Sequence, residues 1–164
     1  MAFTFADLID SLRASRSNFH KHLKDLRDDQ WDWKPYPECK SIRETLVHLI
    51  QDDRAAVEAI EKNCEPDYET LMADAIALAA RDIDYLKALS ETSFTALLEL
   101  LISRYADAPL DAEINVFGST KKLGVGIPFF SSEDYYHIGQ VSFIRMASDP
   151  TWDYYAAIYG GEEE

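Results

Sequence analysis

The chain has 164 residues and carries 30 acidic against 16 basic side chains, so its formal net charge is −14. This length suits one domain with a full hydrophobic core. The acidic excess repels phosphate backbones and anionic lipid, and no stripe of lysine or arginine offsets it. Nucleic acid is therefore excluded as a predicted partner.

The sequence also lacks membrane and disulfide signals. Its first residues contain no basic segment followed by an apolar run, and no stretch approaches the about 18 apolar residues of a membrane span. Cys39 and Cys64 are its two cysteines, neither lies in a CxxC motif, and two are too few for a disulfide framework. We therefore expect a cytoplasmic protein with reduced thiols and no membrane partner.

The first predicted element is a long amphipathic helix over residues 3–27, where apolar side chains recur at intervals of three and four. The apolar positions are Phe5, Leu8, Ile9, Leu12, Phe19, Leu23 and Leu26. His20 and His22 stand among charged residues, so we predict that both are solvated. His22 neighbours the apolar stripe and is kept as a reserve metal ligand.

An aromatic loop follows over residues 28–40, because Pro35 and Pro37 disfavour helix at the residues before them. Two interpretations of its aromatic side chains stay open. They either pack on the end of a bundle, which we favour, or cover a pocket. The side chains concerned are Trp31, Trp33 and Tyr36.

The second helix is predicted over residues 42–62, with Ser41 and Glu44 as its capping box. His48 falls beside its apolar stripe, on a face with small and polar residues, and Asp52 one turn later can orient the imidazole. A lone histidine in such a place is more often an ordinary interior residue. Its role therefore depends on what another helix brings to it.

The second half of the chain is predicted to continue with a third helix over residues 67–89 and a shorter helix from Ser90. A small hairpin is predicted over residues 114–123. Pro128 is placed in the first turn of the last helix, with Ser131 or Ser132 as alternative later caps, and this helix ends near residue 148. This pattern favours an all-α four-helix bundle with a short extra helix and a small irregular or hairpin segment before the last helix.

The predicted domain covers residues 1–159, and residues 160–164 are predicted to form an acidic disordered tail. The aromatic side chains between residues 151 and 159 are too many for a free segment. We expect them to pack on the bundle or on another subunit.

The last helix carries polar groups on its apolar face. Glu133, His137 and Gln140 share that face with apolar neighbours at 130, 141 and 144. Burying such a polar group without a partner costs roughly 1–3 kcal/mol, and an ionised carboxylate costs more. This face therefore needs a ligand, a hydrogen-bond network or a metal, and Gln140 is assigned to packing or hydrogen bonding rather than to coordination.

The spacing of Glu133 and His137 suits one metal ion, because side chains at i and i+4 lie about 6 Å apart at Cβ. His48, from the helix that would face this one in a bundle, completes a set of two histidines and one carboxylate with open positions. Such a set suits Zn²⁺, Ni²⁺, Fe²⁺ or Mn²⁺. Asp52 and Tyr136 are candidates to orient a group or accept a proton.

Two segments of the chain carry a recognisable pattern. The first is the Trp/Pro segment 29–35 leading through the capping box to Leu46-Val47-His48-Leu49, and the second is Tyr136-His137-Ile138-Gly139-Gln140. Both resemble the DinB-like (YfiT-like) metal-binding four-helix bundles, whose segment corresponding to the second is H-x-x-H-H-x-G-Q. The resemblance places the ligands of the last helix at position 133 and at His137. Here Glu133 replaces the usual histidine, and Tyr136 replaces the second histidine of the pair.

The resemblance implies a metal-dependent enzyme, either a hydrolase or a thiol-dependent S-transferase, that acts on a small molecule through a metal-bound water or thiolate. It also implies a homodimer formed through helix faces and, for the transferase, a low-molecular-weight thiol as cosubstrate. The alternative is a non-catalytic helical-bundle binding or interaction protein with a degenerate metal site. In that case internal hydrogen bonds would satisfy the polar face, with Glu133 paired directly to His48 or His137.

Overall fold

The computed structural model describes residues 3–160, which form mainly helices and one small sheet. The helices are α1 (Phe5–Lys21), α2 (Ile42–Lys62), α3 (Tyr68–Ala79), α4 (Ile83–Tyr105), α5 (Leu123–Ser148) and α6 (Tyr154–Tyr159). The strands β1 (Glu113–Val116) and β2 (Ser119–Lys122) pair antiparallel. The predicted tail, apart from Gly160, lies outside the described residues.

The long helices α1, α2, α4 and α5 build the bundle, and the predicted all-α class is confirmed. Helix α1 packs on α5 and α2 packs on α4, while α2 also contacts α5. The apolar core has one half near the hairpin, around Leu12, Leu97 and Ile127, and another toward the opposite end, around Phe19, Leu46 and Val141. No helix among residues 3–160 is long and apolar enough to cross a membrane.

The start of α2 is as the sequence predicts. The Ser41 hydroxyl accepts from the Glu44 amide at 3.2 Å, and the Glu44 carboxylate accepts from the Ser41 amide at 2.8 Å. This reciprocal capping satisfies two amides that have no partner inside the helix. It also fixes the residue at which α2 begins, and therefore the side of the helix on which His48 lies.

Two predicted helix boundaries in the middle of the chain are wrong. The third helix ends at Ala79 instead of running to residue 89, and no new helix begins at Ser90, which is buried inside α4. The chain turns at residues 80–82, and the Asp82 carboxylate accepts from the Tyr85 amide at 2.8 Å. Asp82 therefore caps α4. The apolar period continues on both sides of this break, so periodicity alone misplaces it.

Helix α5 begins at Leu123, so the predicted place of Pro128 in its first turn is also wrong. The amides of Leu123 and Gly124 donate to the carbonyls of Ala112 and Leu110, each at 2.9 Å. Those two bonds satisfy amides that a helix start otherwise leaves free. The preceding hairpin, predicted and present, turns through Phe117 and Gly118, both with positive φ as in a type I′ turn.

Helix α1 ends at Lys21, six residues before its predicted end at residue 27. The Arg145 guanidinium donates to the carbonyls of His22 and Lys24 at 2.8 and 2.7 Å, and Asp25 takes a left-handed φ of 56°. These carbonyls would otherwise accept the next intrahelical bonds. A contact with α5 therefore stops α1.

The prediction that His22 is solvated is wrong, because it is fully buried. Its Nδ1 donates to the Asn18 carbonyl at 2.7 Å, and its ring lies 5.8 Å from that of Tyr154 in α6. Ile158 of α6 is also buried. Trp152, under the Arg145 guanidinium, and Tyr154 thus pack on the bundle as expected, whereas Tyr155 and Tyr159 are 75% and 62% exposed and do not.

Candidate metal centre

Helices α2 and α5 bring together the three predicted metal ligands and one further carboxylate. His48 and Asp52 are one turn apart on α2, and Glu133 and His137 are one turn apart on α5. One ligand atom from each of these side chains lies within 4.8 Å of the others. The result is a set of two imidazoles and two carboxylates, with one of each from each helix.

Within this set, the contacts along each helix leave one nitrogen unsatisfied. His48 Nε2 lies 3.4 Å from Asp52 Oδ2, and His137 Nε2 lies 3.9 Å from Glu133 Oε2. The imidazole rings of the two histidines meet edge to face, 4.8 Å apart at their centroids. His137 Nε2 is buried and has no hydrogen-bond partner among residues 3–160. A buried nitrogen in that state is costly unless it binds something.

Gln140 decides which nitrogen of His137 faces the cluster. His137 Nδ1 lies 2.8 Å from Gln140 Oε1, an acceptor, so Nδ1 carries the proton. The lone pair is then on Nε2, which points into the set of ligands. This support by a hydrogen bond is the role that the sequence assigns to Gln140, and it is how most metal-binding histidines are oriented.

Burial sets the protonation of both imidazoles. It lowers the pKa of His48 to about 4, helped by the Lys40 ammonium and by His137. Burial also lowers the pKa of His137, with Lys40 and Arg16 acting in the same direction against the Gln140 hydrogen bond. Both rings are therefore neutral at pH 7, which is the form that binds a metal.

The cations near the Asp52 carboxyl do not offset its burial and the neighbouring carboxylates. Burial raises its pKa to about 7, and the carboxylates of Glu133 and Asp53 add to the effect more than Lys40 and Arg16 oppose it. Two carboxylates and a free imidazole nitrogen around one point are the donors that a divalent cation takes. By this test, the residues present fit a metal ion.

A second, fully paired charge cluster lies beside this set and was not predicted. Arg16 is 5% exposed and donates to both oxygens of Asp53 at 2.8 and 2.9 Å and to Asp134 at 2.8 Å. Ser15 donates to Asp134 at 2.7 Å, and Ser93 donates to Asp53 at 2.9 Å. The cluster therefore ties α1, α2, α4 and α5 together at the level of the candidate metal ligands.

A sequence signal for this cluster existed. Arg16 lies between Leu12 and Phe19 on the apolar stripe of α1, and acidic pairs occur at 52–53 and 133–134. A charged residue on such a stripe needs a buried partner, because unpaired buried charges are not tolerated. Each acidic pair thus supplies one carboxylate to Arg16 and one to the candidate metal centre.

A cavity of about 520 Å³ opens between α2 and α3, and His48 and Asp52 line it. Its other walls are mainly apolar and come from both helices and from the loop before α2. The apolar side chains are Pro37, Val47, Ala55, Leu71, Met72, Ala75 and Ala79. The candidate metal centre is therefore reachable by a small molecule with an apolar part.

A family model described as the DinB superfamily matches residues 11–141. That span covers most of the chain, including every member of the candidate metal centre. The chain belongs to the DinB superfamily. The fold agrees: a crystal structure of a DinB-like protein, YjoA from Bacillus subtilis, matches with a TM-score of 0.61 at 16% identity, over 90% of this chain and 96% of that one. The comparison with curated proteins returned no match.

The remaining candidates of this DinB superfamily member lie outside the ligand set. Tyr136 is 63% exposed, and its ring lies edge to face with that of His137 at 5.1 Å. His22 does not join the set, so its reserve role has no support in the geometry. His20 Nε2 lies 3.3 Å from Ser90 Oγ. Cys39 is half-buried and Cys64 is exposed, and both are free thiols.

The aromatic loop packs rather than covers the pocket. Trp31 is buried, and Trp33 is partly buried, in the half of the core around Phe19, Leu46 and Val141. The Trp31 carbonyl accepts from the Arg43 amide at 2.9 Å, which anchors the loop on the first turn of α2. Tyr36 is 62% exposed and does not line the 520 Å³ cavity. The loop meets that cavity instead through its polar residues after Trp33.

Proposed function

We propose that this protein is a divalent-metal-dependent enzyme that acts on a small molecule, by hydrolysis or by thiol-dependent group transfer. The observation that carries the proposal is the convergence of His48, Asp52, Glu133 and His137, with ligand atoms within 4.8 Å of one another. The cavity beside them supports a small-molecule substrate over a macromolecular one.

His48, Glu133 and His137 would hold the ion, and Asp52 is placed to be a fourth donor. Two imidazoles with carboxylates suit Zn²⁺, Ni²⁺, Fe²⁺ or Mn²⁺. A bound ion of this kind lowers the pKa of a coordinated water or thiol and so supplies a nucleophile near neutral pH. This supply makes a dedicated serine or cysteine nucleophile unnecessary.

The chain's own residues have separate tasks in this proposal. Gln140 keeps the Nε2 lone pair of His137 turned toward the ligand set, and Arg16 holds α2 and α5 in register through Asp53 and Asp134. In the metal-free cluster, burial and the neighbouring carboxylates raise the pKa of Asp52 to about 7, and a bound cation would favour the ionised carboxylate that serves as the fourth donor. The apolar walls of the cavity exclude water from the substrate.

The non-catalytic alternative requires that the polar side chains on the inner face of α5 are satisfied by hydrogen bonds within the protein. The His137 Nε2 atom has no hydrogen-bond partner in the described residues, and its distance of 3.9 Å to Glu133 Oε2 is too long for one. Direct pairing of Glu133 with His137 is therefore not made. The unpaired nitrogen favours a site that takes up an ion over a closed network.

Metal analysis tests the proposal. We expect purified protein to carry about one equivalent of a divalent metal after dialysis, and the His137→Ala variant to carry none. His20→Ala is the matched control, because His20 is part-buried and hydrogen-bonded on another face of the bundle. Wild-type protein that still holds no metal after incubation with each of the four ions would contradict the proposal. A His137→Ala variant with full metal occupancy would contradict it as well.

We also propose that the protein is a homodimer, formed through the outer face of α5. Phe129, Tyr136, Phe143 and Met146 recur on that face and are 40%, 63%, 52% and 47% exposed. A side chain added at Gly139, between them, would meet no atom of the described residues within 4 Å, so a partner helix can approach closely there. Light scattering on wild type and on the Phe143→Asp variant tests this, and a monomeric wild type would refute it.

A further inference from the structure

The 520 Å³ cavity beside the candidate metal centre has a lining of two chemically different parts. On one side, α3 contributes Leu71, Ala75 and Ala79 as an apolar wall. His48 and Asp52 of α2, with Lys40 on the loop before it, form the second part, which we call the polar end. A ligand that fills this space therefore meets hydrocarbon along its body and charged groups at its head.

The wall on the α3 side is built for an apolar body. Helix α3 contacts the rest of the described structure mainly through α2, and the cavity occupies the space between them. Two of its inward residues are the small side chains Ala75 and Ala79, which leave room that larger residues would fill. Apolar surface placed there gains roughly 25 cal/mol per Å² removed from water.

Lys40 is the cation at the polar end. It lines this cavity and also a neighbouring one of about 330 Å³ bounded by Gln140, Phe143 and Ile144. Its charge is felt at His48, Asp52 and His137, whose pKa values it lowers. The second lysine of the rim, Lys34, is already paired with Glu44 at 2.7 Å.

The carboxylates near this end are mostly engaged. Asp52 and Glu133 belong to the proposed ligand set, and Glu44 pairs with Lys34. Glu38 and Lys40 both lie on the rim and are both exposed, so water and salt screen each charge, but it is the charge of Lys40 that affects the pKa values of His48, Asp52 and His137. A head group at this end therefore meets the Lys40 ammonium and the proposed metal ion, and both attract negative charge.

We infer that the cavity binds a small apolar carboxylate, with its hydrocarbon body against α3 and its carboxylate between Lys40 and the candidate metal centre. The inference rests on the proposed function, because the acidic ligand set would attract an anion only when a bound metal ion offsets its negative charge. It assigns to Lys40 the selection of the charged head and to Ala75 the space for the body.

Calorimetric titration of the metal-loaded, full-length protein with three probes of equal chain length tests the head group. The probes are octanoate, octanol and octylammonium, and metal content is measured first. We expect octanoate to bind best and octylammonium worst. In Lys40→Gln, octanoate should bind about two- to fivefold more weakly while octanol is unchanged, as for one solvent-accessible ion pair.

Two matched variants separate local effects from general ones. Lys24→Gln makes the same change in net charge at an exposed position outside the cavity and should leave octanoate binding unchanged. Ala75→Leu should abolish binding of both octanoate and octanol, whereas Ala77→Leu, on the exposed face of the same helix, should not. Melting curves of each variant establish that it is folded.

The two proposals fail in distinguishable ways. Protein that takes up no ion overturns the metal-dependent function before any probe is added, and with it the anionic head group. Metal-loaded protein that binds octanol or octylammonium as tightly as octanoate overturns the present inference alone. So does a Lys40→Gln variant whose octanoate affinity matches that of Lys24→Gln.

Discussion

Two pairs of carboxylates lie side by side on α2 and α5, and they differ in what neutralises them. Asp53 and Asp134 are paired with the guanidinium of Arg16 at 2.8 Å. Asp52 and Glu133, each one residue earlier in the chain, are accompanied by two neutral imidazoles and an unpartnered nitrogen. The first pair has its cation from the chain itself, and the second belongs to a group of side chains that could bind a metal ion.

The difference teaches how one helix pair builds both a support and a site. Adjacent residues on a helix point about 100° apart, so each acidic dipeptide gives one carboxylate to Arg16 and the other to the candidate metal centre. A buried ion pair keeps its position only while both partners are present. The paired cluster of Arg16, Asp53 and Asp134 therefore supports the open cluster of His48, Asp52, Glu133 and His137, and removing Arg16 should have a different effect from adding a metal ion.

The largest effect is expected from breaking the paired cluster. The Arg16→Met variant leaves two buried carboxylates without a cation and should lose about 3–5 kcal/mol of unfolding free energy, measured by urea denaturation. Arg13→Met is the control, since Arg13 is on the same helix and its side chain is 51% exposed. A loss no larger than that of the control would show that Asp53 and Asp134 need no partner.

Supplying the missing cation should stabilise the open cluster. A divalent metal ion at a concentration of about 100 times its Kd should raise the unfolding free energy of wild type by about 2.7 kcal/mol, and a chelator should reverse the gain. The Glu133→Ala variant should gain much less. An equal gain in both proteins would mean that the ion binds elsewhere.

Loss of the hydrogen bond to His137 should weaken metal binding without removing a ligand. The Gln140→Leu variant no longer accepts from Nδ1, so the ring is free to turn and metal affinity should fall about 10- to 100-fold. Gln140→Glu, which keeps an acceptor at the same place, should retain most of the affinity. Competition with a fluorescent chelator measures both, and unchanged affinity in Gln140→Leu would contradict the orienting role.

The smallest effect concerns pH in metal-free protein. The pKa of Asp52 is about 7 when folded, above its ordinary value of 3.8, so the folded state binds more protons between these values and its stability falls as pH rises through 7. Asp52→Asn removes this loss, and its advantage over wild type should grow by about 1 kcal/mol or more between pH 4 and 8. Asp84→Asn, whose parent side chain is 98% exposed, should show no such trend.

Much of the open cluster could be predicted from the sequence because its spacing is local. Glu133 and His137 are one turn apart, and the capping box at Ser41 fixes the start of the helix that carries His48. The sequence predicts that Asp52 orients His48 and not that it donates to a metal, because the distance between Asp52 and Glu133 depends on how two helices meet. It does not predict a buried Arg16, since a single arginine in a helix pattern is usually exposed.

The sequence by itself determined the all-α bundle, the hairpin and the one-turn pairs of ligands, because helix periodicity, caps and turn residues act within a few positions of the chain. Only the tertiary structure decided where α1 ends, that His22 is buried, and that each acidic pair divides between Arg16 and the candidate metal centre. Those outcomes depend on contacts between residues more than a hundred positions apart, such as Arg16 with Asp134 and Arg145 with His22, whose energies no local pattern contains.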